Sequence, residues 1–126
     1  MKLIILLFIP LLGFSQTKEE VLEYCKEIGI KHAEIVTAQA ILETGHFKHV
    51  PNNNLFGLYD SNACGYFCFD NWKQSVEAYK RMIQDKYYKG GDYYDFLNCM
   101  WKGDTGKCKS YAQSENYTDT LKMIRV

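Results

Sequence analysis

Glu43 stands in "AQAILETGHF" (Ala38–Phe47), where a run of small and apolar residues gives way to Thr44 and Gly45. Residues three, four and seven apart share a helix face, so its neighbours there are Ala40, Gln39 and Val36, a mostly apolar setting. It also falls in the last helical turn before Gly45, where the macrodipole presents its negative pole and the final carbonyls lack partners. Both features disfavour a carboxylate and raise its pKa, which is the direction a carboxyl must move to act as a general acid near neutral pH. From periodicity alone, an exposed Glu that merely ends a helix fits as well, and the choice rests on what else the chain carries.

His46 and His49 lie close to Glu43, yet no Ser or Cys nucleophile with a matching partner accompanies them, and they read as surface-loop residues. Cys25 falls on the apolar stripe Val21, Leu22, Cys25, Ile28 and reads as a core residue that packs like a small hydrophobe. The other four cysteines suit local disulfides, Cys64 with Cys68 and Cys99 with Cys108, with the connectivity left open. Zinc is the rival use for them, but three and eight intervening residues do not match paired zinc knuckles, so no metal and no cofactor is expected.

The elements that must position Glu43 are mostly helical. Thr17, Lys18, Glu19 and Glu20 read as a capping box opening a helix that runs to about Ile28 and stops at Gly29. A second, Ala-rich helix begins near Ala33, sends Ile35, Ala38, Ile41 and Leu42 toward the core and ends at Gly45. The stretch from His49 to Asn71 is dense in Asn, Gly, Pro and aromatics, with alternation around Tyr66 to Phe69, and fits loops with one short hairpin. Asp70 or Asn71 caps a third helix on which Trp72, Val76, Tyr79, Ile83 and Tyr87 recur until "KGG", with Asp70 the favoured cap. "DYYDFLNCMW" supplies a fourth helix ending at Gly103, and "ENYTDTLKMI" a fifth with Tyr117, Leu121 and Ile124 on one side. The expected fold is mainly α, about five helices with a small loop or hairpin lobe forming a groove.

With 126 residues, 47% of them hydrophobic and 15% aromatic, the chain suits one compact domain. "MKLIILLFIPLLGFSQ" has one Lys, an apolar run from Leu3 to Leu12 and then small and polar residues, the layout of a signal peptide over 1–16. That run is too short to span a bilayer, so an exported protein, periplasmic or extracellular, is expected, with no membrane span in residues 17–126. With 15 basic and 15 acidic side chains in the whole chain, charge gives no sign of nucleic acid as a partner.

The succession "AQAILETG", "NNLFGL" (Asn53–Leu58), "NWKQSVEAYKRMI" and "YAQSENYTDTLKMI" resembles the glucosaminidase family, glycoside hydrolase family 73, over nearly all of residues 17–126. The resemblance implies a lysozyme-like fold and a peptidoglycan glycan strand as substrate, handled by a monomer. It places Glu43 on the general acid, Asn53, Asn54, Leu55, Phe56 and Gly57 on the family's loop, and Tyr111, Ala112 and Tyr117 on its terminal motif. Substrate contact is thereby expected of Asn54, Phe56, Tyr111 and Tyr117, against the plain readings that Leu55, Phe56 and Trp72 are core and that Asn54 holds its loop.

Two departures stand out. Many members carry a second Glu on a longer hairpin after the loop, whereas Tyr59 to Asp70 contains none, which leaves Asp60 as the candidate second carboxylate. Phe47 also replaces the Gly of the common ending, which predicts an altered loop wall. The expected function is an exported endo-β-N-acetylglucosaminidase that cuts after N-acetylglucosamine with Glu43 as acid. The rivals are a lytic transglycosylase or muramidase using the same Glu43, and a noncatalytic peptidoglycan-binding module; a small disulfide-bonded inhibitor or toxin has only size and Cys content behind it.

Overall fold

The structure, a computed structural model, describes residues 16–60, 62 and 65–126. The signal-peptide reading falls on residues outside this set, apart from Gln16, as does Cys64 of the first cysteine pair.

Thr17 closes a capping box at the start of α1 (Lys18–Glu27): its side chain accepts from the Glu20 amide while the Glu20 carboxylate accepts from the Thr17 amide. Val21 and Cys25 are buried on its inner stripe. Helix α2 (Ala33–Thr44) enters from His32, a left-handed residue, and leaves through Gly45, also left-handed, whose amide bonds back to Ile41. Val36, Ala38, Ala40 and Ile41 lie inside together with the polar Thr37, Gln39 and Thr44, so α2 is the central helix and not a surface one. Small side chains permit that role, because α1 and α6 (Tyr117–Met123) both approach it closely.

After a 3-10 turn at Pro51–Asn53, the lobe contains β1 (Tyr59–Asp60) paired antiparallel with β2 (Gly65–Tyr66), Tyr59 opposite Tyr66. Buried Asn54 organises it: Oδ1 accepts from the Leu58 amide, and Nδ2 donates to the carbonyls of Leu58 and Phe67 at 2.9 and 3.2 Å. Helix α3 (Trp72–Tyr79) is capped by Asn71, whose side chain accepts from the Gln74 amide, and not by Asp70, the favoured cap. The backbone then passes through a π-helical segment, Lys80–Gln84, into α4 (Asp85–Tyr87). The wider turn brings Gln84 inside beside Ile83, a position the 3.6-residue period does not forecast.

The fourth expected helix is shorter than its sequence pattern. Helix α5 (Tyr93–Asn98) stops well before Gly103, and the chain forms a second hairpin, β3 (Trp101–Lys102) against β4 (Cys108–Lys109). A disulfide between Cys99 and Cys108 closes it, which fulfils the second expected pairing and removes both residues from any zinc reading. Cys68 is exposed and bonded to no described cysteine. Leu55, Phe56, Val76, Tyr79, Leu97 and Leu121 join the α1 and α2 residues in one core, while Trp72, expected within it, is only half-buried. No described helix is long and apolar enough to cross a membrane.

Asn54→Ala leaves the Phe67 carbonyl and the Leu58 amide without the Asn54 partner, at about 1–3 kcal/mol for each such buried group, while the Leu58 carbonyl keeps the Phe67 amide. Urea unfolding is expected to show a loss of about 2 kcal/mol or more, with α-helical circular dichroism retained in the folded baseline.

Candidate active site

A cleft of about 270 Å³ opens between the end of α2 and the lobe. Glu43 enters it from α2, Asn54 and Gly57 from the loop that follows, and Tyr66 from β2, while His49, Pro51 and Asn52 form the rest of the wall. Among these lining residues Glu43 is the single carboxylate. The Glu43 side chain stays open to solvent.

Glu43 nevertheless has its pKa raised. Crowding by protein atoms, which withholds water from the charged form, is the larger cause, and a hydrogen bond from Tyr117 pulls the other way. Tyr117 Oη lies 3.3 Å from Glu43 Oε2, a long hydrogen bond. Tyr117 is buried, and its hydroxyl is held far above the ordinary phenol range, so it stays a proton donor.

The loop approaches Glu43 from the opposite side. Gly57 has φ +64°, and a Cβ built there would stand 3.1 Å from Glu43 Oε1. The Gly in "NNLFGL" therefore has a steric reason beyond its left-handed backbone, since a side chain at this position would press on the carboxylate. Four further residues around the cleft carry positive φ without being glycine: His46, Phe47, Asn52 and Asn53. Phe47, at φ 65°, holds a conformation costly for a bulky residue; it is half-buried against the core, and its amide donates to Thr44 Oγ1 at 2.8 Å.

The residues singled out in the sequence divide into two groups. Glu43 and Asn54 both line the cleft, Asn54 while also holding the lobe together. Phe56 does not reach it: its ring is 1% exposed and packs on Tyr79, 4.6 Å between centroids, and the residue serves through its backbone, whose carbonyl accepts from Tyr111 Oη at 2.7 Å. Tyr111 stacks on Tyr117 with centroids 5.8 Å apart, so the two terminal-motif tyrosines form a layer beneath Glu43 that ties α6 to the loop. Asp60, on β1, is absent from the cleft wall; its Oδ1 accepts from the Asn62 amide at 3.1 Å.

Sequence reasoning put Gly57 on the family's loop without naming it as a site residue, did not single out Tyr66 and read His49 as a surface-loop residue, although all three line the cleft. It also gave no role to Gln39, whose buried amide sits between Tyr79 and Tyr117. The available clue was the helical spacing of four that puts Gln39 beneath Glu43, together with a polar residue in an otherwise apolar run.

Residues 18–125 match the family described as glucosaminidase, mannosyl-glycoprotein endo-beta-N-acetylglucosaminidase. Neither a curated protein nor a solved structure matches the chain.

Because the folded pKa of Glu43 lies above its unfolded value, the stability this group contributes is complete below the unfolded pKa and is lost as pH rises through the folded one. Above the unfolded pKa the raised carboxyl therefore costs stability, and Glu43→Gln removes that cost while keeping an acceptor for Tyr117. The variant is expected to melt above the wild type at pH 7, with the gap closing below about pH 4, in thermal scans across that range.

Proposed function

The chain belongs to the glucosaminidase family, and from that premise we propose that it is an exported peptidoglycan hydrolase that cuts the glycan strand after N-acetylglucosamine, with Glu43 as general acid. The observation that carries the proposal is Glu43 itself: a cleft carboxyl whose neutral form is favoured by crowding, with the Tyr117 hydroxyl on one oxygen and Gly57 against the other. Residues 1–16 are read as the export signal.

In this reading Glu43 gives its proton to the glycosidic oxygen as the bond from that oxygen to C1 breaks, and the leaving sugar departs with a new hydroxyl. A glycosidase ordinarily needs a second carboxyl group about 5–5.5 Å away for retention or about 6.5–9.5 Å away for inversion. With one carboxylate among the lining residues, the N-acetyl group of the substrate is the preferred nucleophile. Its carbonyl oxygen closes on C1 as the leaving group departs. Glu43, now ionised, takes a proton from the water that reopens the ring, which restores both the acid and the acetamide. Tyr117 steadies the carboxylate between the two steps by donating to Oε2.

Peptidoglycan incubated with the protein, reduced with borohydride and read by mass spectrometry is expected to yield reduced N-acetylglucosamine ends, and Glu43→Gln none. Anhydro-muramic ends would replace this chemistry with transglycosylation through the sugar's own 6-hydroxyl, and reduced muramic ends would make the protein a muramidase. Binding to sacculi without fragments would leave a noncatalytic module.

Gly57→Ala places a methyl group 3.1 Å from Glu43 Oε1 and strains a left-handed backbone at a cost of about 1–2 kcal/mol. Turnover of peptidoglycan is expected to fall at least tenfold, well beyond what the accompanying drop in melting temperature explains, when initial rates and thermal scans are compared.

A further inference from the structure

A line of buried side chains runs from the cleft into the core, and each hydrogen bond in it has a definite direction. Its far end is fixed by backbone. Gln84, in the π-helical segment, accepts from the Lys31 amide through Oε1 at 2.9 Å and donates to the Lys31 carbonyl through Nε2 at 2.7 Å. Those two bonds allow only one orientation of the Gln84 amide. Its second N–H donates to Tyr93 Oη at 3.0 Å.

From there the direction follows by counting protons. Tyr93 and Tyr79 share a contact of 2.7 Å between hydroxyl oxygens, and either could donate in isolation. If Tyr79 donated to Tyr93, the Tyr93 proton would have no acceptor among the described residues, because Gln84 presents only N–H to it. Tyr93 therefore donates to Tyr79, Tyr79 donates to Gln39 Oε1, and Gln39 Nε2 donates to Tyr117 Oη at 3.2 Å. The Tyr117 oxygen is then engaged as an acceptor, and its proton points to Glu43 Oε2. No buried side-chain polar atom among the described residues lacks a partner.

We infer that Gln84, Tyr93, Tyr79 and Gln39 form a one-way hydrogen-bond chain that directs the Tyr117 proton onto Oε2 of Glu43, leaving Oε1, the oxygen beside Gly57, to carry the proton delivered to substrate. The inference deepens the general-acid reading and rests on it. A carboxylic acid with both oxygens equally available would hold its proton toward Tyr117 part of the time, where it is useless to a sugar in the cleft. An incoming donor on Oε2 removes that state, because two protons cannot occupy one hydrogen bond. Gln39, Tyr79, Tyr93 and Gln84 are positioning residues, since none of them lines the cleft.

The chain makes an unusual prediction about distance. In Tyr79→Phe, Gln39 Oε1 loses its donor, and because the amide then makes one bond to Tyr117 in either orientation nothing holds it in the original one; turned over, it accepts from Tyr117. Tyr117 then points away from Glu43. In Gln39→Met, one residue nearer to the site, no competing acceptor exists and Tyr117 still donates to Glu43. The remote substitution is therefore expected to disturb Glu43 more than the near one.

The test is titration of the Glu43 carboxyl by carbon-13 NMR, together with the pH profile of kcat on peptidoglycan. The titratable groups around Glu43 are Tyr117 on α6, Tyr111 before it, His49 on the loop after α2 and Tyr66 on β2, and none of them is altered. Tyr79→Phe is expected to raise the pH at which Glu43 titrates and to move the alkaline limb of the kcat profile the same way. Gln39→Met shifts both less, and the double variant Tyr79→Phe/Gln39→Met returns to the Gln39→Met values. Should Tyr79→Phe fail to fold, Gln84→Met loosens the fixed end and is expected to shift Glu43 in the same direction. An unchanged Glu43 titration in a folded Tyr79→Phe or Gln84→Met protein, or additive shifts in the double variant, overturns the chain. The two ideas also fail separately: glycan cleavage that survives Glu43→Gln ends the general-acid reading and with it the assignment of Oε1, while the titrations alone decide the chain's direction.

Discussion

Gln39 is a fully buried amide in the middle of the central helix, and its two ends bind phenols from different parts of the chain. Tyr79 comes from α3, and Tyr117 from α6, 78 residues away. A buried amide of this kind is costly unless every bond is made, so the three elements can pack only in the arrangement that satisfies it. That arrangement is also the one that sets the Tyr117 hydroxyl against Glu43, one helical turn along from Gln39. Core packing and cleft geometry are thus linked through one side chain: the polar layer fixes the register of the helices, and the register fixes the place of the Glu43 carboxyl.

The lobe works by a similar economy. Asn54 engages Leu58 twice and Phe67 once, which folds the loop back on itself and leaves Gly57 at its tip against Glu43. Tyr111 anchors the same loop from below through the Phe56 carbonyl while its ring lies on Tyr117. The loop is accordingly held from both sides, and its left-handed residues at Asn52 and Asn53 are of a type that tolerates that conformation. Phe47 is the exception, a bulky residue in the same region of backbone space that offsets its strain by packing on the core.

Much of the fold was legible as local chemistry. The capping box at Thr17, the glycine that ends α2 and the helical recurrence along α3 each act within a few residues, and each element stands where its pattern puts it. The reading slipped where a distant partner competes. "NCMW" continues the periodicity of α5, but the bond between Cys99 and Cys108 draws the chain into a hairpin, and an intact helix would carry Cys99 away from its partner. The cap of α3 is Asn71 and not Asp70, a choice of one residue that propensity does not resolve because both types cap well.

By itself the sequence determined the family, the mainly helical architecture and the singular position of Glu43, because these depend on residue type, spacing and helix polarity. Only the tertiary structure decided where the other residues stand relative to Glu43. It buried the ring of Phe56, kept Asp60 out of the cleft wall, brought His49 and Tyr66 into it and gave Gln39 and Gln84 their partners. The physical reason is that a hydrogen bond or a cleft wall joins residues tens of positions apart, while periodicity reports only which way a residue faces on its own element.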